Sequence, residues 1–267
     1  MANAEVRDRV DRLGLPFNRY GLDKYGVSKD HVAAFFTLLE PFYRRYFTVD
    51  CCGLDHVPNE GGVMLVGNHS GGVPVDGAMV LSSMFFEMEP PRLGHGMVDK
   101  FANRWPVVSQ WFSRVGQFTG LPKHAVQLLQ DDRVLMVFPE GTRGIGKLYE
   151  DRYKLVRFGT GFMRIALEAG VPIVPFAFVG GEEAHPTMFH LDTLAKILGV
   201  PYIPVPPHLV PIPLPVHCEI HYGEPMQFDG TGTEADERID GYIQQVKDRI
   251  AALIEKGRAR RRRQLEG

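Results

Sequence analysis

Apolar residues recur along this chain with two different spacings, and the alternation of the two sets the order of its elements. Short unbroken apolar runs at residues 63–66, 134–138 and 173–179, and an alternating run at 216–222, have the length of strands. Residues 75–86, 125–130, 161–169 and 234–256 instead place apolar side chains three and four apart, as helices covering a sheet do. In the last of these Ile239, Ile243, Val246, Ile250 and Ile254 form one stripe, which a core explains without any further role. Strands alternating with helices predict an α/β domain.

Two segments depart from that rhythm. Residues 28–47 are rich in aromatic side chains, with Ser28 placed to cap a helix and Pro41 to kink it. The stripe of Val32, Phe35, Phe36, Leu38, Leu39, Phe42, Tyr43, Tyr46 and Phe47 suits a helix packed on the core. It equally suits one lying in a membrane interface with Arg44 and Arg45 at headgroup level. Residues 201–215 hold seven prolines among apolar residues, too few backbone donors for a central strand, so they predict an extended apolar loop. The expected organisation is an N-terminal helical segment over 1–48, possessing the option of membrane contact, a main domain over 49–257 and a basic tail over 258–267.

Composition narrows the class. A chain of 267 residues, 44% hydrophobic and 23% charged, can bury a sizeable core. A formal net charge of −2 gives no global footprint for nucleic acid, and none is expected as a partner. The one strong cluster, Arg258 with Arg260 to Arg263, reads as a solvated tail, although anionic lipid would attract it too. Three cysteines, with Cys51 and Cys52 adjacent, match neither a disulfide framework nor a zinc site and suit a cytoplasmic setting. The N-terminus lacks the basic and then apolar pattern of a signal peptide, and no apolar stretch reaches bilayer length. Membrane contact is therefore expected to be peripheral, on the cytoplasmic face.

Chemistry concentrates at two strand ends. The run 63–66 leads into Gly67-Asn68-His69-Ser70-Gly71-Gly72-Val73-Pro74-Val75-Asp76, which puts a histidine where α/β sheets place their active sites. Pro74 suits a first helical turn, so Asp76 falls near a helix N-terminus, where the dipole favours negative charge. A carboxylate there can fix the tautomer of an imidazole and stabilise the imidazolium it becomes on taking a proton. The run 134–138 ends in Pro139-Glu140-Gly141-Thr142-Arg143-Gly144, projecting an acid, a hydroxyl and a guanidinium from a second strand end. Arginine there can bind a phosphate bidentately.

Together, Asn68-His69 followed by Asp76, and Phe138-Pro139-Glu140-Gly141-Thr142-Arg143, resemble the glycerolipid acyltransferase family, the PlsC-like lysophospholipid acyltransferases. Val171-Pro172-Ile173-Val174-Pro175 is similar to a later block of that family, and residues 94–101 occupy the place of its substrate-binding block. The resemblance spans residues 53–225 and implies a single mixed, mostly parallel sheet flanked by helices, of the glycerol-3-phosphate acyltransferase-like kind. It also implies that His69, held by Asp76, takes the proton of a glycerolipid hydroxyl, which attacks the thioester of acyl-CoA or acyl carrier protein. Glu140, Gly141, Thr142 and Arg143 would then form the acceptor site, with Lys100 a further candidate for the same anion. No metal or bound cofactor is implied.

One departure bears on the acceptor: six residues separate His69 from Asp76, where the common family pattern has four. That variant resembles the monoacylglycerol acyltransferase-like branch and favours a neutral glyceride or long-chain alcohol, whereas intact Glu140-Gly141-Thr142-Arg143 favours a lysophosphatidate-type acceptor. A lipid-binding protein without turnover is a third reading, opposed by the joint presence of His69, Asp76, Glu140 and Arg143. Ser70 lacks the Gly-x-Ser-x-Gly setting of a hydrolase nucleophile. The expected geometry brings His69 and Asp76 within hydrogen-bond reach, with Arg143 in the same cleft.

Overall fold

In the computed structural model, which describes residues 3–98, 106–119, 121–200, 202–209 and 212–266, the elements follow the expected alternation. The chain runs α1 (Ala4–Asp11), α2 (Lys29–Pro41), β1 (Asp50–Cys52), β2 (Val63–Gly67), α3 (Val75–Glu87), β3 (Gly94–Val98), α4 (Pro106–Arg114), β4 (Gln117–Thr119) and α5 (Pro122–Gln130). It continues through β5 (Val134–Val137), α6 (Thr142–Ile145), α7 (Gly161–Ala169), β6 (Ile173–Val179), α8 (Gly181–Ala184), β7 (Phe189–His190), α9 (Asp192–Leu198), β8 (Pro204–Val205), β9 (Glu219–Tyr222) and α10 (Asp236–Glu266).

Seven strands form one sheet in the order β1-β9-β6-β2-β5-β3-β4, and β7 pairs with β8 apart from it. Every neighbouring pair in the large sheet is parallel except β6 with β9, so the sheet is mixed and mostly parallel, as expected. The unbroken apolar run of β2 follows from its central place. Val63 and Leu65 join the core under α3, while Met64 and Val66 join the core under α5, α7 and α10.

The aromatic stripe of residues 28–47 packs inward. Val32 and Phe36 are fully buried, and the Phe36 ring stacks on Phe85 of α3 with centroids 3.8 Å apart. Leu38 and Phe42 are the large apolar side chains of this segment that stay exposed. After Pro41 the helix passes into a π-helical turn over Phe42–Tyr46, as expected where a proline withholds a backbone N–H. Ahead of it, α1 is tied down by Arg9, whose guanidinium donates to the carbonyls of Phe85 and Met88.

The basic C-terminus differs from the expected solvated tail. It continues α10 without a break through Glu266, because several of its arginines find partners on the sheet. Arg260 donates to the Asp50 carboxylate at 2.7 Å, and Arg261 donates to the carbonyl of His217. Among the described proline-rich residues, Pro204–Val205 form the short strand β8, residues 207–209 make a turn with Leu209 at φ +57°, and most of the rest have no regular structure, as the loop reading expects. The run 216–222 pairs only over Glu219–Tyr222, and the short polar strands β1, β3 and β4 carry too little apolar pattern to be read from sequence. No described helix is long and apolar enough to cross a membrane.

The stack of Phe36 on Phe85 makes a first prediction. Phe36→Ala should lower the unfolding free energy by about 3–5 kcal/mol, the usual cost of removing a buried aromatic ring. Urea denaturation measures it, and a loss under about 1 kcal/mol would mean that α2 is peripheral to the core.

Candidate active site

The site is set by strand register. Val63 to Val66 of β2 lie level with Val134 to Val137 of the parallel strand β5. His69 and Glu140 therefore both follow the last strand pair by the same three residues, at one edge of the sheet. On its other side β2 meets β6, and the Asn68 side chain bridges the two. It donates to the Phe178 carbonyl at 3.0 Å and accepts from the Phe178 amide at 2.8 Å. Both contacts are buried, so the exit of β2 has little freedom.

From that exit the loop turns back on itself. Gly71 and Gly72 adopt φ of +89° and +65°, a region that disfavours side chains. A Cβ on Gly72 would also collide with His185 Nδ1 and Thr187 Oγ1, each 2.7 Å away. This double turn absorbs the two extra residues of the loop and returns Asp76, the second residue of α3, to the imidazole. His69 Nδ1 lies 2.7 Å from Asp76 Oδ2, which also accepts the Ser70 amide at 2.8 Å, and Asp76 Oδ1 accepts the Gly77 amide at 2.7 Å. A fully buried carboxylate with these partners is an acceptor, so Nδ1 carries the proton and Nε2 is left with its lone pair. The ring lies flat on Phe138, 4.2 Å between centroids, and stays 15% exposed. Such an imidazole can take a proton from a bound hydroxyl.

The second motif divides into two parts. Glu140 is buried, and both of its oxygens go to the protein rather than to a pocket. Oε1 accepts the His69 amide at 3.0 Å, and Oε2 accepts the Val156 amide at 2.8 Å. The expectation that Glu140 lines the acceptor site is corrected on this point: its carboxylate holds the backbone of His69. Gly141 caps α6, Thr142 is half-buried, and Gly144 packs against the His69 side chain, where a Cβ would come within 3.1 Å of His69 Cβ. Arg143, one residue earlier, is exposed, and its guanidinium makes one long contact of 3.4 Å with the Arg157 carbonyl. Lys100 lies outside the described residues.

The chain matches the family described as Acyltransferase over residues 48–179. An uncharacterized protein of Mycobacterium tuberculosis is 32% identical over 246 residues, covering 88% of this chain and 68% of that protein. This chain belongs to the acyltransferase family. The bovine DGAT1/2-independent enzyme synthesizing storage lipids is 24% identical over 215 residues, 76% of this chain and 58% of the enzyme. In fold, the acyltransferase is similar to PlsC of Thermotoga maritima, a 1-acyl-sn-glycerophosphate (LPA) acyltransferase. The TM-score is 0.53 at 18% identity, over 83% of this chain and 79% of that one.

Three features of the acyltransferase site escaped the sequence. Phe138 and Asn68 stand inside the motifs, but their stacking and bridging roles depend on strands distant in the chain. Lys147 gave no signal at all. Its ammonium is buried between Glu140 Oε2 at 3.4 Å, the Lys154 carbonyl at 3.0 Å and Glu182 Oε1 at 4.0 Å. Among the described residues no group of three or more His, Cys, Asp or Glu side chains is arranged to hold a metal ion.

Glu182 supplies a pH test of this buried cluster. Burial pushes its carboxyl up from 4.5 to about 7, opposed by Lys147. The folded chain thus holds this proton more tightly than the unfolded chain, and stability falls as pH rises from the unfolded value to about 7, then levels. Glu182→Gln removes that dependence. It should leave stability nearly unchanged at pH 5 and raise it at pH 8, by at most about 3 kcal/mol. Denaturant melts at the two pH values measure the difference, and an equal effect at both would show that Glu182 does not gain a proton on folding.

Proposed function

We propose that this acyltransferase moves a fatty acyl group from a thioester, of CoA or of acyl carrier protein, to a glycerolipid hydroxyl, with a lysophosphatidate-type acceptor preferred. The observation that carries the reading is the His69–Asp76 contact, which fixes one nitrogen of the ring and leaves the other for an acceptor. In the reaction His69 Nε2 takes the hydroxyl proton as the acceptor oxygen bonds to the thioester carbonyl carbon. Asp76 stabilises the imidazolium that results. Collapse of the tetrahedral intermediate breaks the C–S bond, and the imidazolium returns its proton to the departing thiolate. No acyl-enzyme and no metal or prosthetic group enters this sequence.

The oxyanion of the intermediate needs donors aimed at it. The amides of His69, Ser70 and Gly72 are already bonded to Glu140, Asp76 and Ile145, which removes them as candidates. Arg143 is assigned to the acceptor phosphate, with Gly141 and Thr142 shaping the turn that presents it and Glu140 acting through the His69 backbone. A neutral glyceride acceptor is the second reading, favoured by the long His69-to-Asp76 loop and by the similarity to the bovine storage-lipid enzyme. The acceptor and product on either reading are lipids, which fits a peripheral protein working at the cytoplasmic face of a membrane.

Steady-state kinetics separate the readings. His69→Ala should lower kcat on the order of 10²–10⁴-fold in a folded protein, as the loss of a general base does. Asp76→Asn should be severe as well, because a neutral amide cannot compensate the imidazolium. Arg143→Ala should raise KM for lysophosphatidate far more than for monoacylglycerol, since only the first can make the charge-assisted contact. Equal effects on both acceptors would assign Arg143 a structural role, and near-normal turnover by His69→Ala would overturn the mechanism.

A further inference from the structure

The segment between β6 and β9 leaves and re-enters the sheet at the same edge that carries His69, because β9 runs antiparallel to β6 with Val179 opposite Glu219. This excursion reverses the usual amphipathic order. In α9 the small residue Ala195 is buried while Leu194, Ile197 and Leu198 are 42%, 75% and 49% exposed. Phe189 before it and Leu209 after it are exposed too, and most of the exposed large apolar side chains among the described residues lie here. Phe42 adjoins the same region through Tyr46, whose hydroxyl donates to the Pro213 carbonyl. So many exposed large apolar side chains gathered in one excursion mark an interaction site.

Charge identifies the occupant. The Leu214 amide donates to Ala184 of α8, so the excursion packs on that short helix. The arginine-rich end of α10 also reaches α8. Arg261 lies against Gly180, and Arg258 sits 4.9 Å over the ring of Tyr153, whose hydroxyl donates to Glu183. Arg262 and Arg263 beyond them are exposed. An apolar surface bordered by arginines is complementary to anionic headgroups over acyl chains, whereas two copies of it would bring like charges together. The surface is also linked to the loop bearing the candidate base, since the Tyr202 hydroxyl donates to the Gly72 carbonyl at 3.2 Å.

We infer that the described residues 188–200, 202–209 and 212–214, led by α9, are the surface that docks this enzyme on an anionic bilayer, placing His69 at the lipid face. The inference rests on the lipid-acceptor reading, and it gives the membrane contact to this excursion rather than to α2. Docking is driven by insertion of the α9 leucines and isoleucine, while the end of α10 adds a salt-sensitive attraction.

Vesicle flotation tests it on the full chain, with phosphatidylcholine vesicles that contain or lack phosphatidylglycerol. A variant with Leu194→Ser, Ile197→Ser and Leu198→Ser should partition at least roughly tenfold more weakly onto the anionic vesicles, with an unchanged melting temperature because the replaced groups are exposed. Arg262→Glu with Arg263→Glu should weaken binding to the anionic vesicles only. Transfer to a short-chain, monomerically soluble acceptor should be equal in parent and variants, and transfer to vesicle-borne acceptor should fall. Failure of the parent to float, or undiminished flotation of the triple variant, overturns the inference. So does light scattering that shows a parent dimer turned into a monomer by the triple variant without any change in flotation. A parent that floats in an α9-dependent way yet acylates no acceptor would sink the functional reading and leave the docking surface standing.

Discussion

In-register parallel pairing of β2 with β5 is the constraint on which the rest of the site depends. Because Val66 and Val137 lie side by side, the chain segments beyond them emerge at one level, and Glu140 can reach back to hold the His69 amide. A shift of one residue in that pairing would exchange the faces of β2 and drive apolar side chains into the wrong layer, so both cores oppose it. The Asn68 bridge to Phe178 adds the same restraint on the opposite side. The imidazole therefore inherits its position from three strands, and Asp76 has only to set its orientation.

Burying charge to build such a site is costly unless each group is partnered. Glu140 meets this condition through two amides and the Lys147 ammonium, which makes it a structural part of a motif whose exposed member is Arg143. Glu182 meets it less well: one of its oxygens has no partner, and its carboxyl is pushed up to about 7. Neighbouring acids of one cluster are thus partnered differently. The first is held by two backbone donors at 2.8 and 3.0 Å, the second by one at 3.3 Å from the Tyr153 amide and by a cation 4.0 Å away.

Two apolar segments meet opposite fates in the fold. The aromatic stripe of residues 28–47 is the more hydrophobic to the eye, yet α3 offers it a complementary face and Phe36 disappears against Phe85. The leucines of α9, in the excursion after β6, find no such face and remain in solvent. Burial is decided by what stands opposite an element, and that is a property of the assembled sheet.

The sequence alone determined the α/β class, the four main strand runs and their helices, and the two motifs with His69, Asp76 and Arg143 in them. Those features are local: they rest on the period of apolar positions and on residue types gathered within a short loop. Tertiary structure decided what depends on partners far along the chain. It turned Glu140 from a pocket residue into a backbone clamp, recruited Lys147, folded the arginine-rich end into α10 against Asp50 and His217, and set which apolar faces stayed exposed. The physical reason is the same in each case. A periodicity reports which side of an element is apolar, but a hydrogen bond, an ion pair or a covered face exists only once two distant segments have been brought to the same place.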